Sequence, residues 1–186
     1  MTRPRPTRAE LLAAQDRPVP DLVAPDLKVL FCGINPGLYT AAVGHHFAGP
    51  SNRFWKVIHL AGFVEQPITA FEEAVLLPRG YGITNVVPRA TARADELAPA
   101  EFVAGGRRLA AQVRRWRPRI LAVLGVGAYR TAFARPKAVV GPQDERLGAT
   151  RLWVLPNPSG LNANYQLPDL VRLFTELRLA GDALTP

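Results

Sequence analysis

Two short turns, far apart in the chain, share a pattern that could do chemistry: Gly33-Ile34-Asn35-Pro36-Gly37 and Pro156-Asn157-Pro158-Ser159-Gly160-Leu161. Each closes an apolar run, and each sets an asparagine ahead of a proline. Proline cannot donate a ladder hydrogen bond, while Asn and Gly tolerate positive φ, so a strand entering such a stretch must stop there. The Asn35 amide then stands at the carboxyl end of a central strand, the edge at which open α/β sheets bind ligands. An amide can orient a water molecule but cannot take its proton; that step asks for a carboxylate. Glu65, Glu72, Glu73 and Glu101 fall on or beside predicted helices, and Asp144 and Glu145 precede a predicted strand. Asp95 stands in a loop that leaves a predicted strand from its carboxyl end, and it is the candidate base. The plainer alternatives are a simple Asn-Pro-Gly turn, and an Asx turn at Asp95 ahead of a helix that Pro99 would start. Leu161, between Gly160 and Asn162, either folds back on its own loop or is an apolar wedge of the kind that enters a base stack.

Those turns need strands to carry them. Val29, Leu30, Phe31, Cys32 and Ile34 make a nearly continuous apolar run, as expected of a strand buried on both faces of a parallel sheet. Further strands are expected at 81–87, 119–125 and 151–156. Helices are expected over 51–62, capped by Ser51, over 69–77 behind a Thr69/Glu72 capping box, over 99–116, after residue 125, and over 168–180. The third of these turns Phe102, Leu109, Val113 and Trp116 inward and Arg107, Arg108, Arg114 and Arg115 outward. Residues 39–50 read as loop. Strands alternating with helices imply one α/β domain, 27–181, with a mostly parallel sheet covered on both faces. Residues 1–26, with five prolines and several arginines, read as a basic segment, largely extended or disordered, with at most a helical turn at 9–14.

Composition narrows the partners. The chain of 186 residues carries 23 Lys and Arg against 15 Asp and Glu, a net charge of +8, which favours a polyanion. Its single cysteine, Cys32, excludes a disulfide framework and a thiol-ligated cluster, and three histidines are weak metal-site material. No apolar run approaches the roughly 20 residues that cross a bilayer, and the N-terminus has no signal-like apolar stretch. A cytoplasmic protein is expected. Gly125-Val126-Gly127 lacks the third glycine of a dinucleotide loop, since Arg130 stands there, and reads as an ordinary strand–helix turn.

GINPG at 33–37, GPSNRFWKVI at 49–58 and LPNPSGL at 155–161, in that order, resemble the motifs of the mismatch-specific uracil/thymine DNA glycosylases, within the uracil-DNA glycosylase superfamily. The resemblance runs from about residue 28 to 180. It implies a three-layer α/β/α sandwich, a monomer without cofactor or metal, and a monofunctional hydrolase of base-excision repair. The implied substrate is uracil, and more weakly thymine or modified pyrimidines, mispaired with guanine in double-stranded DNA. By the same resemblance Asn35 holds the attacking water near C1′ of the deoxyribose, and Phe47 stacks on the flipped base. Main-chain groups around Ile34 and Phe47 read the edge of that base. Leu161 fills the vacated space, and Gly160 with its neighbours, Asn162 among them, bonds to the widowed guanine through the backbone. Asn157 and Ser159 shape the loop, and arginines contact phosphates. Phe47 could instead be a core aromatic, and Asn52 is expected to start a helix rather than to catalyse. The sequence departs from the family at Ala163, where a longer side chain, often arginine, is expected; Asn162 or Asn164 is the local substitute. The rival reading is a DNA-binding module that kept the fold without the chemistry.

Overall fold

The computed structural model describes residues 5–184, so the first four residues of the expected basic segment lie outside the described residues. A five-stranded sheet forms the centre, in the order β2-β1-β3-β5-β4. Strand β1 (Val29–Gly33) is flanked in parallel by β2 (Tyr81–Asn85) and β3 (Ile120–Leu124), and β3 pairs in parallel with β5 (Thr150–Leu155). Strand β4 (Gly141–Leu147) closes one edge antiparallel to β5. All residues of β1, β2 and β3 are buried, which is why β1 and β3 read as unbroken apolar runs.

Successive side chains of β1 point to opposite faces and so enter two different cores. Val29 and Phe31 pack with α3 (Phe54–Leu60) and α6 (Leu167–Ala183); Leu30 and Cys32 pack with α4 (Pro99–Trp116) and with Tyr129 of α5 (Val126–Ala132). Phe31 anchors the first core, with its ring centroid 5.4 Å from that of Phe54 and 5.2 Å from that of Phe63. Helices on both faces of a mostly parallel sheet make the expected three-layer α/β/α fold. The pairings Gly33↔Asn85 and Leu124↔Leu155 end β1, β2, β3 and β5 near one level. The turns that follow them therefore open along a single edge.

Several expectations are corrected. Residues 39–50 contain α2 (Leu38–Val43), ended by Gly44 at φ +75. Strand β4 was not expected, because its Gly-Pro-Gln-Asp-Glu-Arg sequence alternates half-exposed with exposed positions and tolerates proline only at a sheet edge. The 69–77 helix is a 3-10 helix running Ala70–Arg79, with the Thr69/Glu72 capping box in place. Asn52, not Ser51, starts α3: its Oδ1 accepts from the Phe54 N–H at 2.9 Å. Arg108 is not outward, since its guanidinium donates to the Asn85 carbonyl at 2.6 Å.

The largest correction is at the N-terminus. Much of 17–26 is extended, but the described segment is bound to the body and not loose. Helix α1 (Arg8–Ala13) is closed by a Thr7/Glu10 capping box. Ala14 and Val19 are buried against Ala41 and Ala90, and Leu22 pairs antiparallel with Ile83 along the free edge of β2. Asp21 accepts from Thr84 Oγ1 at 2.8 Å and from Gln112 Nε2 at 2.9 Å. The prolines remove any internal periodicity, so the segment takes its order from an unpaired strand edge it covers.

Candidate active site

A cleft of about 700 Å³ opens where β1, β2 and β5 end, a size typical of small-molecule and base pockets. Asn35 enters it from the turn after β1. Its Nδ2 donates to Thr91 Oγ1 at 2.7 Å, to the Arg89 carbonyl at 3.1 Å and to the Pro36 carbonyl at 3.2 Å. Carbonyl oxygens only accept, so the amide nitrogen must face them and its orientation is fixed by the network. The buried Thr91 hydroxyl donates in turn to the Arg93 carbonyl at 2.7 Å. The Asn35 Oδ1 is left without a protein partner among the described residues. It is the atom that can accept from a water in the cleft.

Gly33 brings the base of the cleft together. A Cβ there would lie 2.5 Å from Asn85 Oδ1 and 3.1 Å from the Phe47 ring, so glycine alone lets both side chains close over the end of β1. Phe47 stacks on Phe54 with centroids 4.1 Å apart and holds φ +53, a conformation rare for an aromatic residue and found preferentially at functional sites. Its main-chain N–H and C=O have no protein partner among the described residues. The Ile34 carbonyl, by contrast, is taken by the Val87 N–H at 2.9 Å. His46, also lining the cleft, is buried, which holds its pKa below the ordinary histidine value; its Nε2 bonds to the Pro20 carbonyl at 2.9 Å. Cys32 is buried one strand position from the edge, and burial pushes its thiol well above the usual range, leaving it an inert hydrophobe.

The third wall is the loop after β5. Asn157 Oδ1 accepts from the Ser159 N–H at 2.9 Å, and Asn162 Nδ2 donates back to the Asn157 carbonyl at 3.0 Å. Leu161 at its tip is 86% exposed, so it does not fold back on the loop. The loop is held from below by Arg53. That guanidinium donates to the carbonyls of Pro158 (3.2 Å), Ser159 (2.8 Å), Asn162 (3.1 Å) and Tyr165 (2.7 Å). Gly160 lies so close to Ser51 that a Cβ would meet its carbonyl oxygen at 2.5 Å. The two halves of the site are thus joined.

Comparison with known proteins gives this geometry a family. The sequence profile of the uracil DNA glycosylase superfamily matches residues 20–178, which is most of the chain. The chain belongs to the uracil DNA glycosylase superfamily. It is also similar to a solution NMR structure of a candidate uracil DNA glycosylase from Methanosarcina acetivorans, with a TM-score of 0.58 and 15% identity over 88% of this chain and 98% of that one. At that identity the likeness is one of fold. Membership in the superfamily supports a DNA glycosylase role, a hydrolase with DNA as substrate.

Within the superfamily fold, Ile34, Asn35, Phe47, Asp95, Asn157, Ser159, Leu161 and Asn162 all line the one cleft. Gly160 stands beside them at the loop tip. Asp95 lies on the rim in a short 3-10 helix, Ala94–Glu96, where its carboxylate is 63% exposed and pairs with Arg93 at 2.6 Å. The Asn162 side chain is spent inside the loop, its Oδ1 accepting from the Asn164 N–H at 3.2 Å. Sequence reasoning missed Asn85, Thr91 and Arg53. Asn85 carried a usable signal, a polar residue closing an apolar strand next to the one that ends at Asn35. Thr91 acts through contacts between distant segments and gave none, while Arg53 stood inside the 49–58 motif without an assigned role.

Proposed function

We propose that this chain is a monofunctional, mismatch-specific uracil-DNA glycosylase. It extrudes uracil, and thymine or modified pyrimidines more slowly, from opposite guanine in duplex DNA and hydrolyses the bond to the sugar. The reading is carried by the pinned amide of Asn35, whose three donor contacts leave Oδ1 as the acceptor for a single water. The flipped base enters against the Phe47 ring, which Phe54 backs. Asn85 presents a donor and an acceptor side by side, the complement of the O4 and N3–H edge of uracil, and the free main-chain groups of Phe47 add to that edge. The C1′–N1 bond breaks with its electron pair leaving on the base, and the sugar passes through an oxocarbenium-like state. The water oxygen then bonds to C1′. Asp95 takes the proton released, and its charge favours the cationic sugar.

Leu161, exposed and rigidly carried, fills the gap left in the stack. With Ala163 short and Asn162 engaged, Asn164 is the exposed side chain that remains to hold the orphaned strand. The test is release of labelled base from G·U, G·T and A·U duplexes and from single strands. Free uracil released fastest from G·U is expected. Tight binding without release would favour the non-catalytic module, and equal release from A·U and G·U would remove the mismatch specificity.

A further inference from the structure

We infer that helix α1 is part of the DNA-binding surface, with Arg5 and Arg8 contacting phosphates on the rim across the cleft from Leu161. This rests on the reading of the cleft as a glycosylase site. A helix of six residues is not stable alone, and α1 is held by the body: the Asp16 N–H donates to the Ala90 carbonyl at 2.9 Å, and Arg89 pairs with Asp16 at 2.9 Å. Leu11 lines the cleft directly. Arg8 is one turn before Leu11 and therefore shares its face, and Arg5 lies just ahead of the Thr7 cap at the same end.

Both arginines are exposed, and neither has a hydrogen bond or ion pair among the described residues. The nearby acids are occupied, Glu10 by Thr7 at 2.8 Å and Asp16 by Arg89 at 2.9 Å. Both guanidiniums are left free to meet an outside anion. Position fits as well. The 89–91 segment on which α1 docks follows β2, and the Leu161 loop follows β5, three strand spacings away in the sheet order. At about 4.8 Å each, that is roughly 14 Å. Duplex DNA carries a charge for about every 1.7 Å of its axis, so a duplex seated on Leu161 brings phosphates past a rim this near.

The test is binding of full-length protein to a G·U duplex across a salt series, for wild type and the Arg5→Ala/Arg8→Ala variant. Removing one cation from a phosphate flattens the plot of log K against log salt by about 1, so a flattening of about 2 is expected, with Arg5→Lys/Arg8→Lys restoring the slope. Single-turnover excision at saturating enzyme and the melting temperature should stay at wild-type values. A wild-type slope that the alanine variant leaves unchanged would overturn the rim contact alone. A rate loss at saturation, or an earlier melt, would also overturn it by placing these side chains in the active site or the packing. Wild type that binds duplex without salt dependence would overturn the rim contact together with the functional reading.

Discussion

In the proposed reaction Asn35 and Asp95 would divide the chemistry between an amide that can only orient and a carboxylate that can take a proton. Asn35→Ala removes the Oδ1 acceptor while Pro36 and Gly37 keep the chain path. Single-turnover excision from a G·U duplex should fall by about 10²–10⁴-fold with the dissociation constant near wild type. Equal losses in rate and binding would make Asn35 a structural residue. Asp95 is 63% exposed and its partner Arg93 is 72% exposed, so the pair stabilises the fold by at most about 1 kcal/mol. Asp95→Ala should therefore cut the excision rate strongly and shift the melting temperature by no more than about 4 °C. An early-melting variant that still excises normally would return Asp95 to a turn role. The position of both residues at the cleft was legible from sequence, because each lies in a segment that leaves a strand from its carboxyl end. Asn85 was passed over because strand composition hides which end of a strand faces the cleft until the Gly33↔Asn85 register is known.

At the scale of elements, the Leu161 loop and the start of α3 behave as one unit joined by the Arg53 fork. Lysine would keep the charge but is a point donor, and cannot serve four carbonyls set around a planar guanidinium. Arg53→Lys and Leu161→Ala should each slow excision from duplex by about tenfold or more, about 1.4 kcal/mol of the few that unstacking costs, and leave single-stranded substrate nearly untouched. If both act on extrusion, as proposed, the double variant should lose little beyond the worse single one. Additive losses on duplex, or equal losses on single strands, would separate Arg53 from the wedge. Strands β1, β3 and β5 were legible because each is an apolar run that stops at a glycine or a proline. Strand β4 and helix α2 were not, since an edge strand rich in charge and a six-residue helix carry too little apolar period to stand out.

Across the whole molecule, His46 joins three parts that nothing in their residue pattern connects. Its Nε2 bonds to Pro20 in the N-terminal segment, its N–H donates to Glu73 at 2.8 Å, and its carbonyl accepts from Trp55 Nε1 at 3.0 Å. Burial lowers its pKa from the ordinary value near 6.5, against the smaller opposing pull of the Pro20 bond, Glu73 and Asp21. The folded protein therefore keeps this imidazole neutral while the unfolded chain takes up a proton below about pH 6.5. Stability from this group is fully present above that pH and is lost as pH falls toward the lowered folded value. Glu101 titrates in a separate window: hydrogen bonds from Arg89 bring it down to about 2, so its contribution is kept above the ordinary glutamate value of 4.5 and lost only below it. Denaturant midpoints measured from about pH 7.5 to 3.5 should thus show two declines, one beginning near 6.5 and one near 4.5. His46→Gln keeps a donor for the Pro20 carbonyl but cannot titrate, so it should abolish the upper decline and leave the lower one. A wild-type midpoint that stays level from pH 7 to 5, or an upper decline that survives in His46→Gln, would show that the N-terminal segment is not tied to the cleft through a neutral histidine.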